Sequence, residues 1–441
     1  MRYLPINLEL FRNNRCNFSK KMRKNSVAIF NANDEMPRCG DQFHTYRQQS
    51  DFFYLTGIEQ ELSMLVLAPD HPNSKFHEIL FIRESNKELE TWFGHKLTIK
   101  EVQQISGIKN VMFMNRKKAV LREIILASDH IYFNSNEYPK FETDVISRDE
   151  RFAKKIRKKY PTLEFERSAP LMRALRTLKS KTEIELVQKA CKITEKAFHR
   201  VLKFVKPGVK EYEIQAEIEH EFTMNAANGN AYAPIIASGK NACILHYIEN
   251  DKECKDGDLL LMDFGAEYAN YAADLTRTIP VNGKFSKRQR QCYEAVLRVQ
   301  KQAIQFLVIG NTIEKVNAAV NDLMKNEIIG LGLLSKKDAQ NPKKANEILF
   351  NYFMHGTSHF LGLDVHDMGL KTEAFKSGMI LTCEPGLYIQ DEKIGIRLEN
   401  DILITEKGPV NLMLNIPIEP DDIEDLMAKY SQTSKKELIK F

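Results

Sequence analysis

Residues 259–278 read LLLMDFGAEYANYAADLTRT. An apolar run, Leu259 to Met262, ends on an aspartate, Asp263, and eleven residues later a second aspartate, Asp274, stands among small and apolar neighbours. A short apolar run reads as a buried strand, and the GAEYANYAA between the two acids is long enough to turn the chain back as a hairpin. Such a hairpin lets both carboxylates face one point. A buried carboxylate without a partner is costly enough that it neutralises or finds one. Taken alone, each aspartate reads as a strand-end cap; taken as a pair, they ask for a partner elsewhere in the chain.

Three later blocks carry groups of the right kind. HGTSHFLGLDVHD (355–367) holds His355, His359 and His366; TCEPGLYI (382–389) holds Glu384 in a strand-like context; GIRLEND (395–401) holds Glu399. His355 and His359 have the spacing of a helical ligand pair, but Gly356 and Gly362 oppose a helix there, so the two are not expected on one metal. Singly, each residue has a structural reading: a salt-bridged glutamate, a satisfied core histidine. Together Asp263, Asp274, His359, Glu384 and Glu399 make a hard, oxygen-rich donor set. It suits two divalent cations bridged by carboxylates, typically about 3.5–4 Å apart. Cys383 is expected to point to the opposite face of its strand from Glu384.

The 441 residues are too many for one ordinary core, and two domains are expected, 1–172 and 173–441. A formal net charge of +5 gives no push toward nucleic acid, and the basic run RFAKKIRKKY (151–160) reads as one solvated helix face. Seven scattered cysteines without a CxxC argue for reduced thiols and against a disulfide framework or a cysteine zinc site. The opening MRYLPINLELFRNNR lacks the apolar core of a signal peptide, and no apolar run approaches the ~20 residues that span a bilayer. A cytoplasmic protein that binds neither membrane nor nucleic acid is expected.

Along the first domain, SVAIFNAN (26–33), DFFYLTG (51–57), SMLVLAP (63–69) and HEILFIR (77–83) read as strands, the middle two as a pair, with a helix near 115–127. Pro170 is expected to interrupt the chain. Ser180 or Thr182 then caps a long helix with Glu183 and Glu185 in its first turn, and KPG (206–208) ends it. Further helices are expected over 211–226, 286–308 and 312–330, strands on either side of the acidic blocks, and a frayed tail over SQTSKKELIKF (431–441).

The order and spacing of the acidic and histidine blocks resemble the metal-binding motifs of the pita-bread metallopeptidases: methionine aminopeptidase, prolidase and aminopeptidase P. Their ligands are Asp, Asp, His, Glu and Glu. YRQQSDFFYLTGIEQELSMLVLAP (46–69), IIASGKNACILHY (235–247) and ENDKECKDGDLLLMDFG (249–265) narrow the resemblance to aminopeptidase P, over about residues 20–415. It implies an α/β N-terminal domain plus an α+β pita-bread C-terminal catalytic domain. It implies Asp263, Asp274, His359, Glu384 and Glu399 as metal ligands, and Glu384 as the proton shuttle. His246 and His366 would be catalytic histidines beside the tetrahedral intermediate. His355, Arg397, Tyr388 and Trp92 would bind substrate: Arg397 could gate it or hold a carboxylate bidentately, and Trp92 would reach a neighbouring subunit's active site. The cofactor would be two divalent metal ions, Mn2+ first, with Co2+, Fe2+ or Zn2+ also accepting these ligands.

The activity implied is removal of the N-terminal residue from peptides with proline at position two, by a hydroxide bridging the metals, in a homodimer or homotetramer. Gly265 and the small residues around Asp274 would leave the backbone room for substrate. The alternatives are a prolidase cleaving Xaa-Pro dipeptides and a non-catalytic binding protein on the same fold. Loss of metal ligands would mark the latter, and none is lost.

Overall fold

The structure is a computed structural model that describes the backbone of residues 2–438 and the side chains of residues 2–431. By packing, the chain divides into two compact units, Leu4–Arg176 and the remainder from Thr177 onward with the first residues of the chain.

The first unit is built on a six-stranded sheet in the order Val111–Phe113, Glu78–Ile82, Met64–Leu67, Ser26–Asn31, His130–Phe133, Glu164–Arg167. Ser26–Asn31 pairs antiparallel with Met64–Leu67 and parallel with His130–Phe133. All six of its residues are buried, as a strand covered on both faces requires. Val27, Ile29, Val66, Ile79, Phe81 and Ile131 pack there with Leu121, Ile124 and Ile125 of the expected helix, Lys117–Leu126. Each such side chain contributes about 1.5–3 kcal/mol on full burial. The basic run lies on helix Arg148–Lys159, which buries Asp149 and Ile156 and leaves its lysines to solvent.

One expected strand is a helix. DFFYLTG forms Ser50–Thr56, capped by the Gln49 side chain on Phe52 N and closed by Gly57 at φ 69°. A Cβ at position 57 would stand 2.4 Å from the Phe11 ring, so glycine is required there for both reasons. Pro170 also departs from expectation. It opens helix Ala169–Arg176 as its second residue, where a missing N–H costs nothing.

In the second unit, the Ser180 hydroxyl and the Glu183 carboxylate form a reciprocal capping box at the start of helix Lys181–Phe204, which settles the cap on Ser180 rather than Thr182. Helices Glu211–Met224, Lys287–Gln305 and Ile313–Gly330 follow as read. Strands form one sheet from Ile235–Ser238, Leu259–Phe264 and Leu275–Pro280, and another from Ile380–Cys383, Asn400–Thr405 and Gly408–Asn411; Gly386–Ile389 pairs with Ile394–Arg397. Positions 431–438 continue helix Pro420–Leu438 instead of fraying, and 439–441 lie outside the described residues.

The opening stretch is a hairpin within a hairpin. Leu259–Phe264 pairs antiparallel with Leu275–Pro280, with Asp263 opposite Thr276. Between them Ala266–Tyr268 and Tyr271–Ala272 form a second ladder, turned by Ala269 and Asn270 at φ 53° and 64°. Two positive φ values in a two-residue loop match the twist of the flanking strands. Gly265 sits where the two hairpins cross, and a Cβ there would stand 1.7 Å from the Ala273 carbonyl oxygen. Its glycine is therefore demanded by the returning backbone, not by room for a substrate.

Candidate metal centre

Five side chains from four segments converge because strand pairing brings them there. Asp263 is on Leu259–Phe264, and Asp274 immediately precedes Leu275–Pro280. Glu384 occupies the break between Ile380–Cys383 and Gly386–Ile389, and Glu399 the break between Ile394–Arg397 and Asn400–Thr405. His359 lies in the irregular segment before Ile380, as the glycines around it require. That segment runs beside the strand through Leu361 N–Ile380 O, Thr382 N–His359 O and Glu384 N–Thr357 O bonds of 3.1, 2.9 and 2.8 Å. Glu399 is tied to the hairpin twice, by its N–H on Thr276 O at 3.0 Å and by the Thr276 hydroxyl on its Oε2 at 2.7 Å.

Asp274, His359 and Glu399 each offer a ligand atom within 4.8 Å of the others. His359 Nε2 stands 3.3 Å from Asp274 Oδ2 and 3.7 Å from Glu384 Oε1. The other ring nitrogen, Nδ1, donates to Phe360 O at 3.1 Å, which fixes the ring with Nε2 facing the acids. Asp263 joins through Tyr232, whose hydroxyl lies 2.6 Å from Asp263 Oδ1 and 2.5 Å from Asp274 Oδ1. One hydroxyl proton cannot serve both contacts, so the acids crowd an oxygen that calls for a further positive charge.

The electrostatics agree. Burial pushes the Glu384 carboxyl up to about 7 against the pull of His359 and Arg397. Burial and then the charges of Asp274, Glu384 and Asp263 push Glu399 well above its ordinary value. Burial works against the charged imidazole of His359, yet its bond to Asp274 and the charges of Glu384 and Asp274 raise it to about 9. Glu399 Oε1 is buried with no hydrogen-bond partner among the described residues. Carboxyls this close resist ionising together, and divalent cations between them reverse that. The donor set, the orientation of His359 and the orphaned oxygen all fit bound divalent metal.

Arg397 is buried beside the cluster but spreads its donors instead of gripping one carboxylate bidentately. Nη2 reaches Asp263 Oδ2 at 2.6 Å, Nη1 the Tyr388 hydroxyl at 2.9 Å and Nε the Thr276 hydroxyl at 3.1 Å. Tyr388 in turn donates to His355 Nε2 at 2.8 Å, and His355 Nδ1 donates to Gly356 O at 2.8 Å. Burial, then the Arg397 charge, pushes His355 down to about 4. His366 is exposed and meets the His359 ring edge-on at 4.4 Å. His246 is exposed on the loop after Ile235–Ser238, near enough to His355 for its charge to be felt. Trp92 lies in the other unit on helix Lys87–Phe93 at 77% exposure, so it is not a core aromatic there.

Sequence reasoning missed Tyr232, Thr276 and Asp401. Asp401 Oδ2 accepts from Asp274 N at 3.1 Å and from Cys191 Sγ at 3.4 Å, holding the second aspartate's backbone from behind. In the first unit, His130, Glu164 and Glu166 also cluster, but Arg23 stands 2.8 Å from Glu166 and balances the charge.

The profile of metallopeptidase family M24 matches residues 185–406, and that of the aminopeptidase P N-terminal domain matches residues 11–132. The Xaa-Pro aminopeptidase of Escherichia coli (strain K12) is 36% identical over 441 aligned residues, 96% of this chain and 98% of that one. The solved structure of Zn-substituted E. coli aminopeptidase P in complex with product matches with a TM-score of 0.89 at 34% identity, covering 97% of this chain and 99% of that one. E. coli aminopeptidase P with the inhibitor Pro-Leu matches with a TM-score of 0.88 at 33% identity, covering 97% and 100%. Matches of this extent establish the pita-bread catalytic fold behind an aminopeptidase P N-terminal domain. The chain belongs to metallopeptidase family M24, in its aminopeptidase P group.

Proposed function

We propose that Asp263, Asp274, His359, Glu384 and Glu399 hold two divalent metal ions, and that the chain uses them to remove the N-terminal residue from peptides with proline at position two. The observation that carries this reading is the convergence of four carboxyls and one imidazole turned toward them, with Glu399 Oε1 left unpartnered. The peptidase class follows from family membership, and the relatives that are 36% identical over at least 95% of this chain are Xaa-Pro aminopeptidases.

Divalent metal, when bound, brings the pKa of water toward neutrality and polarises the scissile carbonyl. The protein's own groups do the rest. Glu384 takes the proton of the attacking water and delivers it to the proline nitrogen, which carries no hydrogen in the peptide and must gain one to leave. Its proton affinity belongs to the coupled cluster rather than to that residue alone. Arg397 fixes Asp263 and Tyr388, and Tyr388 fixes His355. His246 and His366, exposed at the edge of the cluster, donate to the oxygen on which charge develops and orient the peptide.

Manganese is the metal we assign first, from a donor set of hard oxygens and one imidazole. Free thiols at all seven cysteines support a cytoplasmic location. The exposed Trp92 supports a homodimer or homotetramer in which this residue meets a second copy.

The test is to load the purified protein with manganese and compare release of the first residue from Xaa-Pro-Yaa peptides and from Xaa-Pro dipeptides. Cleavage of the longer peptides is expected; turnover of dipeptides alone would make the protein a prolidase. Asp274→Asn and His359→Ala should each lose most metal and activity with the fold intact, and full activity in either would sink the dinuclear site.

A further inference from the structure

Glu211 is the first residue of helix Glu211–Met224 and is 0% exposed. Its carboxylate accepts five hydrogen bonds. Oε1 takes Ser238 N at 2.8 Å, Ser238 Oγ at 2.7 Å and Asn241 Nδ2 at 3.3 Å, while Oε2 takes the Tyr247 hydroxyl at 2.7 Å and Lys252 N at 3.0 Å. No cation is among these donors. A carboxylate so buried is tolerable because every lone pair is met and the helix N-terminus adds favourable charge.

The donors are not those of an ordinary helix cap. They come from 27 to 41 residues downstream, at the start, the middle and the end of one segment, Ser238 to Lys252. The backbone stitches the same end, through Glu211 N on Lys252 O and Cys254 N on Val209 O, each at 2.9 Å. Between these anchors Ile244, His246 and Ile248 are exposed, whereas Tyr247 is buried at 4%. Tyr247 belongs to the same buried cluster as Tyr388, against which Leu245 and Met354 pack, so the strut that Glu211 grips is the residue adjoining His246.

We propose that Glu211 is a positioning residue of this peptidase, fixing through Tyr247 the place of His246 over the substrate. The proposal rests on the substrate-contacting role given to His246 above. A group placed about 1 Å wrongly can cost about 100-fold in rate even when the fold survives.

The experiment is a double-mutant cycle on manganese-loaded enzyme with an Xaa-Pro-Yaa substrate, with metal content measured throughout. Glu211→Gln should lower kcat by about 10- to 100-fold. KM and bound metal should stay near wild type, and Glu211→Gln should add no loss on a His246→Ala background. Tyr247→Phe, which removes one donor and leaves four, should show the same non-additivity and decides the matter if Glu211→Gln does not fold. Losses that multiply with His246→Ala, or a fall in bound metal, would overturn the role of Glu211. A His246→Ala enzyme with wild-type kcat would instead remove the reading of His246, and the proposal with it.

Discussion

Arg397 Nη2 stands 2.6 Å from Asp263 Oδ2, and its side chain is only 5% exposed. The pair links the first acid of the cluster to the Tyr388–His355 wall. Removing one partner of a buried pair costs about 3–5 kcal/mol, because the other charge stays buried. Arg397→Ala should therefore lower the urea midpoint of the metal-free protein sharply. With metal bound, Asp263 keeps a positive neighbour, so the loss should be smaller. Equal losses in both forms would contradict a metal at Asp263.

Chelation gives the complementary expectation. A cation that binds the native cluster and not the unfolded chain stabilises by about 2.7 kcal/mol at a hundredfold excess over its Kd. Dialysis against a chelator should abolish turnover and lower Tm, and manganese should restore both. Calorimetric scans with activity assays on the same samples check this; activity surviving metal depletion would refute it.

Gly265→Ala is expected to destabilise by about 1–3 kcal/mol or more, since its Cβ would overlap the Ala273 carbonyl at the crossing of the two hairpins. Metal affinity should fall with it, because Asp263 and Asp274 flank that crossing. Gly330→Ala is the control. It lies at the end of helix Ile313–Gly330 with nothing within 4 Å of a new Cβ, and should be neutral or stabilising by up to about 1 kcal/mol.

Asp149 sets a pH dependence of stability in the first unit. Burial pushes its carboxyl from the ordinary 3.8 up to about 7, against hydrogen bonds from Asn31 N at 3.0 Å and Asn31 Nδ2 at 2.6 Å. The native state thus binds this proton more tightly than the unfolded chain. Its contribution is full below about pH 4 and is lost as pH rises through about 7. Unfolding free energies measured between these limits should fall more steeply with pH in wild type than in Asp149→Asn; parallel slopes would contradict it.

Much of this fold was legible because burial leaves a pattern. The apolar run Val27–Phe30 reads as a buried strand, and the long helix after Pro170 is placed with its cap narrowed to Ser180 or Thr182. Ser50–Thr56 defeated that logic. All seven of its residues are buried, so the helix shows no polar stripe, and a short apolar run looks the same in either conformation. In the candidate site, acids and a histidine drew notice because such groups are costly to bury. Tyr232 and Thr276 did not, since tyrosine and threonine are ordinary strand residues and only the fold reveals what their hydroxyls touch. Glu211 was hidden for the opposite reason: an acid in the first turn of a helix is so common that it signals nothing alone.

The hairpin that opens the cluster and the strands that complete it lie far apart in the chain: 136 positions separate Asp263 from Glu399. A ribosome adding ~5–20 residues per second takes roughly 7–27 s to cover that distance. Within that interval Asp274, His359 and Glu384 are added in turn, and the proposed donor set stays incomplete until Glu399 is made. If all five residues are needed for turnover, as proposed, the chain cannot act on peptide N-termini before Glu399 has been made and the strands that carry it have folded onto the hairpin.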